Sequence, residues 1–248
     1  MNAPLPVIAA VAAVLLLGGL IKGTIGLGLP VFVISVLGGF LEPRTVIALL
    51  LVPVVASNLW QGISTGRPRR AAARFWPLIL AFGIGTYAGT RVLVSVPTHA
   101  LLILLGLIVL GFSVSSWLKP QLHLAAHWET WCGPAVGAFA GVLNGVSMVN
   151  GPPLVMYLVA LRLERESFIG AYGLIAVCGS VPLAASLIGL GVVRPPQLVW
   201  SAAALVPVFC GLLLGQWLRR RIDQDRFRRI LLIALALLGA NLLRRGLA

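Results

Sequence analysis

The residues best suited to bind a ligand occur in two sets, 122 positions apart, within otherwise apolar sequence. The first set contains Lys22, and the second contains Asn144, Ser147 and Asn150. A lone lysine inside an apolar membrane segment is costly and indicates function by default. One cation accompanied by amide and hydroxyl donors suits an anionic ligand. Two alternatives stay open: Lys22 could snorkel to an interface, and the asparagines could cap helix ends.

The same pattern of glycine and proline surrounds both sets. Four residues of the first half recur at this spacing in the second, namely Gly19, Gly23, Pro30 and Glu42 as Gly141, Gly145, Pro152 and Glu164. Glycines followed by a proline predict a broken helix. A matched pair of broken helices in an apolar chain is the best sequence pointer to the central site of a transporter.

The composition places the chain among membrane proteins. Hydrophobic residues make up 59%, charged residues only 10%, and the mean hydropathy is +1.02 over 248 residues. The net charge of +13 does not indicate nucleic-acid binding, because the basic residues cluster in short loops beside apolar segments. Ten apolar segments are predicted, at roughly 5–22, 29–41, 44–65, 74–96, 98–118, 130–149, 152–163, 166–190, 196–218 and 227–246.

The segments predict an all-α integral membrane protein, with one transmembrane domain over 1–248 and two repeats, 1–120 and 121–248. Each repeat is a broken intramembrane hairpin followed by three long helices. In the second long helices, Pro77, Gly85 and Arg91 align with Pro207, Gly215 and Arg221 at a spacing of 130. Arginine-rich loops at 67–74 and 219–229 both prefer the cytoplasm. The two repeats are therefore predicted to have inverted topology, with both termini outside.

Segments 29–41 and 152–163 are too short to cross the membrane, so each hairpin is predicted to turn within it. The breaks would then meet near the midplane, with helix N-termini that favour anions. The predicted substrate contacts are Lys22, Gly23, Gly26, Gly28, Pro30, Asn144, Gly145, Ser147, Asn150, Gly151, Pro152, Tyr157, Asn58 and Gln61. Asn58 and Gln61 share a helix face, so they line a cavity or bond to a neighbouring helix.

Catalytic chemistry is not indicated. The three histidines and three cysteines have no metal-ligand spacing, and no Ser–His–Asp set is visible, so no catalytic residue, metal or cofactor is predicted. All six acidic residues fall in loops or at segment ends, where they cannot form a proton relay within a span. The sequence therefore predicts a uniporter, or proton coupling through the substrate itself.

The two breaks together resemble a known family. The stretches GLIKGTIGLGLP (19–30) and GVLNGVSMVNGPP (141–153) are similar to the duplicated signature of the sulfite exporter TauE/SafE family. Extra glycines often found in that signature are replaced here by Leu27, Leu29 and Val149. The resemblance covers nearly the whole chain and implies a permease of the bacterial inner membrane for small anions, often sulfur-containing.

The resulting prediction is a multi-pass permease that moves a small sulfur-containing or carboxylate anion by alternating access, in either direction. Its partners would be the anion, membrane lipid and a second copy of the chain as a homodimer, with no nucleic acid. The alternatives are an integral-membrane scaffold and an enzyme acting on lipid head groups. A scaffold has no need of mirrored intramembrane breaks, and an enzyme needs clustered acids or histidines.

Overall fold

The computed structural model describes residues 4–63, 68–118, 124, 126–163, 165–219, 221 and 223–247. Within these ranges the regular structure is entirely helical and comprises ten helices. They are α1 (Leu5–Ile25), α2 (Leu29–Leu37), α3 (Pro43–Ile63), α4 (Pro68–Ser95), α5 (Thr98–Leu118), α6 (Ala126–Ser147), α7 (Gly151–Ala160), α8 (Arg165–Gly189), α9 (Pro195–Leu218) and α10 (Gln224–Leu247). The all-α prediction is confirmed.

Seven of the described helices are long and apolar enough to cross a membrane: α1, α3, α4, α5, α8, α9 and α10. The chain is a multi-pass membrane protein. The second arms of the two hairpins, α2 and α7, have only 9 and 10 residues. At about 1.5 Å per residue, neither can cross a hydrocarbon core about 30 Å thick.

Part of the sequence-based topology falls on residues that the structure does not describe. Arg67, Arg220 and Glu164 lie outside the described residues. The sidedness of the arginine-rich loops and the opposite orientation of the two repeats stay predictions.

The helices form two compact units that each draw on both halves of the sequence. Unit 1 comprises Met1–Pro53, Pro97–Trp117 and Val193–Ala248, and therefore holds α1, α2, α5, α9 and α10 with the first half of α3. Unit 2 comprises Val54–Val96 and Leu118–Val192, and holds α4, α6, α7 and α8 with the rest of α3. A helix from one half of the chain thus packs on a helix from the other half within each unit.

In unit 1, α1 and α9 run parallel and meet backbone to backbone. A Cβ added at Gly19 would lie 2.1 Å from the carbonyl oxygen of Val208, and one at Gly23 would lie 2.1 Å from that of Leu212. Both distances are far inside van der Waals contact, so only glycine fits. Small residues that let helix backbones approach closely are typical of packing in membranes, where dispersion forces dominate.

Unit 2 repeats this interface between α6 and α4. A Cβ at Gly141 would lie 2.3 Å from the carbonyl oxygen of Phe82, and one at Gly145 would lie 2.2 Å from that of Thr86. The prediction that Gly19, Gly23 and their counterparts break the helix is therefore wrong. These glycines lie inside α1 and α6 and serve close packing, and the breaks come one turn later.

The contacts also correct the alignment of α4 with α9. A Cβ at Gly85 would meet the carbonyl of Ala138, as one at Gly211 would meet that of Leu16, which is 122 positions before Ala138. Gly85 therefore corresponds to Gly211, a spacing of 126 that is one helical turn shorter than the aligned 130.

The residues aligned at a spacing of 130 include two arginines that lie away from the glycine interface. Arg91 stacks on the ring of Tyr87 at 5.1 Å, and Arg221 stacks on that of Trp217 at 4.0 Å. These two cation–π pairs are 130 positions apart, whereas the equivalent packing glycines are 126 positions apart.

Gly89→Ala tests the backbone contact in unit 2. The new Cβ would lie 2.1 Å from the carbonyl oxygen of Val142, so we expect a loss of about 1–3 kcal/mol of stability from overpacking. Gly83→Ala in the same helix is the control, since its Cβ would lie 3.7 Å from Pro182 and helix propensity would rise. Thermal unfolding in detergent measures both, and equal melting temperatures would contradict the interface.

Candidate functional site

The break in unit 1 is made by two glycines after the end of α1. Gly26 and Gly28 have φ of 95° and 101°, a left-handed conformation that a side chain would strain. The N–H of Gly26 donates to the carbonyl oxygen of Lys22 at 2.7 Å, and that of Phe32 donates to Gly28 at 2.9 Å. The chain reverses between these two bonds, and Pro30 lies in the first turn of α2.

Lys22 lies in the last turn of α1, not in the break itself as expected. Lys22 is only 4% exposed. A snorkelling lysine needs its amine at the surface, so that alternative does not describe this side chain. Gly23, its neighbour, packs on α9, and the Thr24 hydroxyl donates to the carbonyl of Leu20 at 2.7 Å. The structure thus places a basic side chain inside unit 1, one residue from the glycine interface.

The break in unit 2 has different local chemistry. α6 ends at Ser147, and Met148 takes φ of 57°, which is uncommon for a residue with a side chain. The N–H of Met148 donates to the carbonyl of Asn144 at 2.7 Å, and that of Val149 donates to the Ser147 hydroxyl at 3.3 Å. The Ser147 hydroxyl donates in turn to the carbonyl of Leu143 at 2.8 Å. Side-chain and backbone hydrogen bonds thus hold a turn that glycines form in unit 1.

A chain of side-chain hydrogen bonds crosses the break of unit 2. The Tyr172 hydroxyl donates to Oδ1 of Asn150 at 3.4 Å, and Nδ2 of Asn150 donates to Oδ1 of Asn144 at 2.9 Å. Nδ2 of Asn144 donates to the Thr86 hydroxyl at 3.2 Å, and that hydroxyl donates to the carbonyl of Phe82 at 2.8 Å. The chain joins α8, the residue before α7, α6 and α4, and all its donors point the same way. Such aligned hydrogen bonds reinforce one another in a low-dielectric interior.

The helices that begin at the breaks offer few backbone donors. No side chain caps α2 or α7. However, α7 begins Gly151-Pro152-Pro153, and prolines have no N–H, so its first turn retains the donors of Gly151 and Leu154. In α2, Pro30 likewise removes one donor. The expected anion-binding capacity of these helix N-termini is therefore smaller than that of ordinary helices.

Three further candidates lie in helices outside the two breaks. The Tyr157 hydroxyl donates to the carbonyl of Glu129 at 3.3 Å, in the first turn of α6 and at the opposite end from the break. Nδ2 of Asn58 donates to the Ser180 hydroxyl at 3.1 Å. This is the bond to a neighbouring helix that the sequence analysis gave as one of two interpretations. Gln61 lies one turn further along α3 and is half-buried.

The Asn58–Ser180 bond joins residues that are 122 positions apart. From Asn58, α3 advances one turn to Gly62, where an added Cβ would lie 2.7 Å from Cγ2 of Val177 and 3.4 Å from the carbonyl oxygen of Gly173. The contacted position on α8 moves backward as α3 moves forward. Within unit 2, the end of α3 and α8 therefore cross antiparallel.

Comparison with known proteins supports one family. The family model described as sulfite exporter TauE/SafE matches residues 11–242. The chain belongs to the TauE/SafE family. No curated protein and no solved structure matches it.

Membership of the TauE/SafE family confirms the resemblance seen in the sequence and implies a membrane transporter of sulfur-containing anions. Both breaks lie within the matched residues. Within the described part of the chain, no three histidine, cysteine or acidic residues are grouped so that they could hold a metal ion.

Two residues of the polar chain in this TauE/SafE protein were missed from the sequence. Tyr172 and Thr86 lie inside apolar helices and have no polar counterpart at the repeat spacing that drew attention to Asn144. The available signal was their polarity inside a span, which is informative even without a repeat. Repeat matching alone therefore overlooks the donors that one repeat has and the other lacks.

Asn144→Leu tests the polar chain by removing its central link. It leaves Nδ2 of Asn150 without its acceptor, so we expect a loss of about 1–3 kcal/mol of stability. Tyr172→Phe removes one 3.4 Å bond and should cost about 1 kcal/mol or less. Asn241→Leu, whose amide oxygen accepts from Arg244 near the end of α10, is the control. The chain would be refuted if Asn144→Leu unfolded no earlier than Asn241→Leu.

Proposed function

We propose that the chain is a permease of the bacterial inner membrane that carries a small sulfur-containing or carboxylate anion by alternating access. Family membership supports the transporter class and the kind of substrate. The observation that carries the proposal is the polar chemistry at each break: a buried lysine in unit 1 and hydrogen-bonded amides in unit 2. Such groups inside apolar spans are expensive and are retained where they contact a solute.

In unit 2, we propose that Asn144, Ser147, Asn150 and the start of α7 at Gly151 and Pro152 contact the anion. Each asparagine Nδ2 carries two hydrogens, and the chain uses one of each. The second hydrogens can donate to an anionic oxygen together with the N–H of Gly151. The chain fixes both amides in advance, so binding orders few side chains.

In unit 1, we propose that Lys22 supplies the positive charge and that the backbone N–H groups between Gly26 and Pro30 supply donors. Burial of Lys22 lowers the dielectric around its amine, which strengthens attraction to an anion. The left-handed Gly26 and Gly28 leave this backbone without Cβ atoms, so a solute can approach closely.

The antiparallel crossing within unit 2 supports the inverted repeat. If the halves had the same orientation, equivalent helices such as α3 and α8 would run parallel. Inverted halves make them antiparallel, and equivalent residues such as Asn58 and Ser180 can then touch across a two-fold axis. Inverted repeats of this kind are a common basis for alternating access.

Lys22→Met tests the cation in reconstituted vesicles loaded with sulfite. Loss of a charge-assisted hydrogen bond should raise KM for the anion roughly tenfold or more. Arg91→Gln is the matched control, since Arg91 is an exposed cation in α4 that stacks on Tyr87. Gel filtration verifies that both variants are folded. Unchanged KM and maximal rate in Lys22→Met would remove Lys22 from the site.

Alternating access is tested by thiol labelling. Lys22→Cys and Asn144→Cys are made separately in a background without Cys132, Cys178 and Cys210. We expect a membrane-impermeant thiol reagent to reach each new cysteine from either side of the membrane.

The control for labelling is Ile175→Cys, whose position is fully buried in the core of unit 2 and should stay unlabelled. Reaction from one side only would contradict alternating access. Positions 22 and 144 sealed from both sides would favour the scaffold instead.

A further inference from the structure

An apolar pocket opens in unit 1 between the starts of α1, α3 and α9. Val7 and Val11 line it from α1, Leu49 from α3, and Trp200 from α9. Thr45 and Gln197 are its polar lining residues. The pocket lies far from the break of unit 1 along α1. Its lining residues belong to the first two turns of α1, and the break follows the last turn.

The position in unit 2 that corresponds to this pocket is occupied by an ion pair. The packing glycines relate α1 to α6 by 122 positions and α9 to α4 by 126, so Val7 corresponds to Glu129, and Trp200 to Arg74. Nε and Nη2 of Arg74 donate to the two carboxylate oxygens of Glu129 at 2.6 and 2.8 Å. Unit 2 thus has a bidentate ion pair at this position, where unit 1 has the apolar Val7 and Trp200.

The neighbouring aromatic side chains differ in the same sense. Tyr157 and Phe75 are core residues of unit 2. Their counterparts in unit 1, by the same spacings, are Ser35 and Ser201. The Ser201 hydroxyl donates to the carbonyl of Leu49 at 2.9 Å, which draws this small side chain onto α3. Unit 1 therefore has two small side chains where unit 2 has two aromatic rings.

The mouth of the pocket is lined by exposed apolar residues. Val7, Ile8 and Trp200 line it and are 40%, 42% and 41% exposed. In a membrane-spanning chain, the surface around such residues is bathed in acyl chains. The apolar walls match a hydrocarbon tail, since burial of each methylene there gains dispersion contacts.

Two arginines lie beside the polar lining residues. Arg44 precedes Thr45, and the backbone N–H of Arg194 donates to Oε1 of Gln197 at 3.2 Å. Arg194 is exposed, and Arg44 forms a partly exposed ion pair with Glu42 at 3.3 Å. The Thr45 hydroxyl also donates to Glu42, at 3.4 Å. A partly exposed ion pair is weak, so a phosphate can compete for the guanidinium. Two arginines and one carboxylate therefore adjoin the apolar pocket, and they leave a net positive charge at one end of unit 1.

We propose that this pocket binds one acyl chain of an anionic phospholipid, with the lipid phosphate held by Arg44 and Arg194. The occupant is a membrane lipid and not the transported anion, because the pocket walls are apolar and an anion would be desolvated there without partners. The counterpart in unit 2 is closed by the ion pair, so unit 2 has no equivalent site at that place.

The experiment measures thermal unfolding of the full-length protein in neutral detergent, with added phosphatidylglycerol or phosphatidylcholine of the same acyl chains. A ligand that binds the native state raises the melting temperature. We expect phosphatidylglycerol to give the larger shift. Val11→Trp fills the pocket and should lose the shift, and Val199→Trp, on the exposed side of α9, should retain it.

Val7→Trp, at the exposed mouth, is the second variant if Val11→Trp fails to fold. Arg44→Gln and Arg194→Gln should each weaken phosphatidylglycerol binding about fivefold. They should weaken phosphatidylcholine binding less, because the choline cation already neutralises the charge of its phosphate. Arg91→Gln in unit 2 is their control. Equal shifts for both lipids, or a full shift in both Val11→Trp and Val7→Trp, would overturn the proposal.

Discussion

The structure depends on two interfaces beside the breaks, in which helix backbones touch without intervening side chains. Gly19 and Gly23 bring α1 against α9, and Gly141 and Gly145 bring α6 against α4. Water contributes nothing to helix association inside a bilayer, so close van der Waals packing has to supply it. Each interface joins a helix of one half of the chain to a helix of the other half. This pairing explains why the compact units do not follow the order of the sequence.

These interfaces also determine where the polar groups lie. Lys22 immediately precedes Gly23, and Asn144 immediately precedes Gly145. Adjacent residues on a helix are about 100° apart around its axis, so fixing the glycine against its partner fixes the direction of the polar side chain. The break then follows within a few residues, at Gly26 or at Met148. A change at the glycine interface would therefore rotate the polar group as well as loosen the packing.

The sequence predicted the ten helices, their order and the position of both breaks to within a few residues, because apolar length and proline spacing are local signals. It assigned the wrong task to Gly19 and Gly23, because a glycine that permits a turn and one that permits close packing are the same residue. The alignment of Pro77 and Arg91 with Pro207 and Arg221 used a spacing of 130, which is one helical turn longer than the spacing of the packing contacts. Periodicity preserves a helix face under such a shift, so only contacts could reveal it. Tyr172 and Thr86 were missed for another reason: their role depends on Asn150 and Asn144, which meet them only after folding.

The two units use one backbone arrangement for different chemistry. At the break, unit 1 has a lysine and two left-handed glycines, where unit 2 has a chain of amides and hydroxyls around Met148. Away from the break, Arg74 and Glu129 close unit 2, and Val7 and Trp200 leave unit 1 open and apolar. Both units need their packing glycines, because an added Cβ would overlap the backbone of the partner helix in each interface. The side chains beside the glycines carry no such constraint. Lys22 and Asn144, which each precede a packing glycine, therefore differ in charge while the two glycine interfaces are alike.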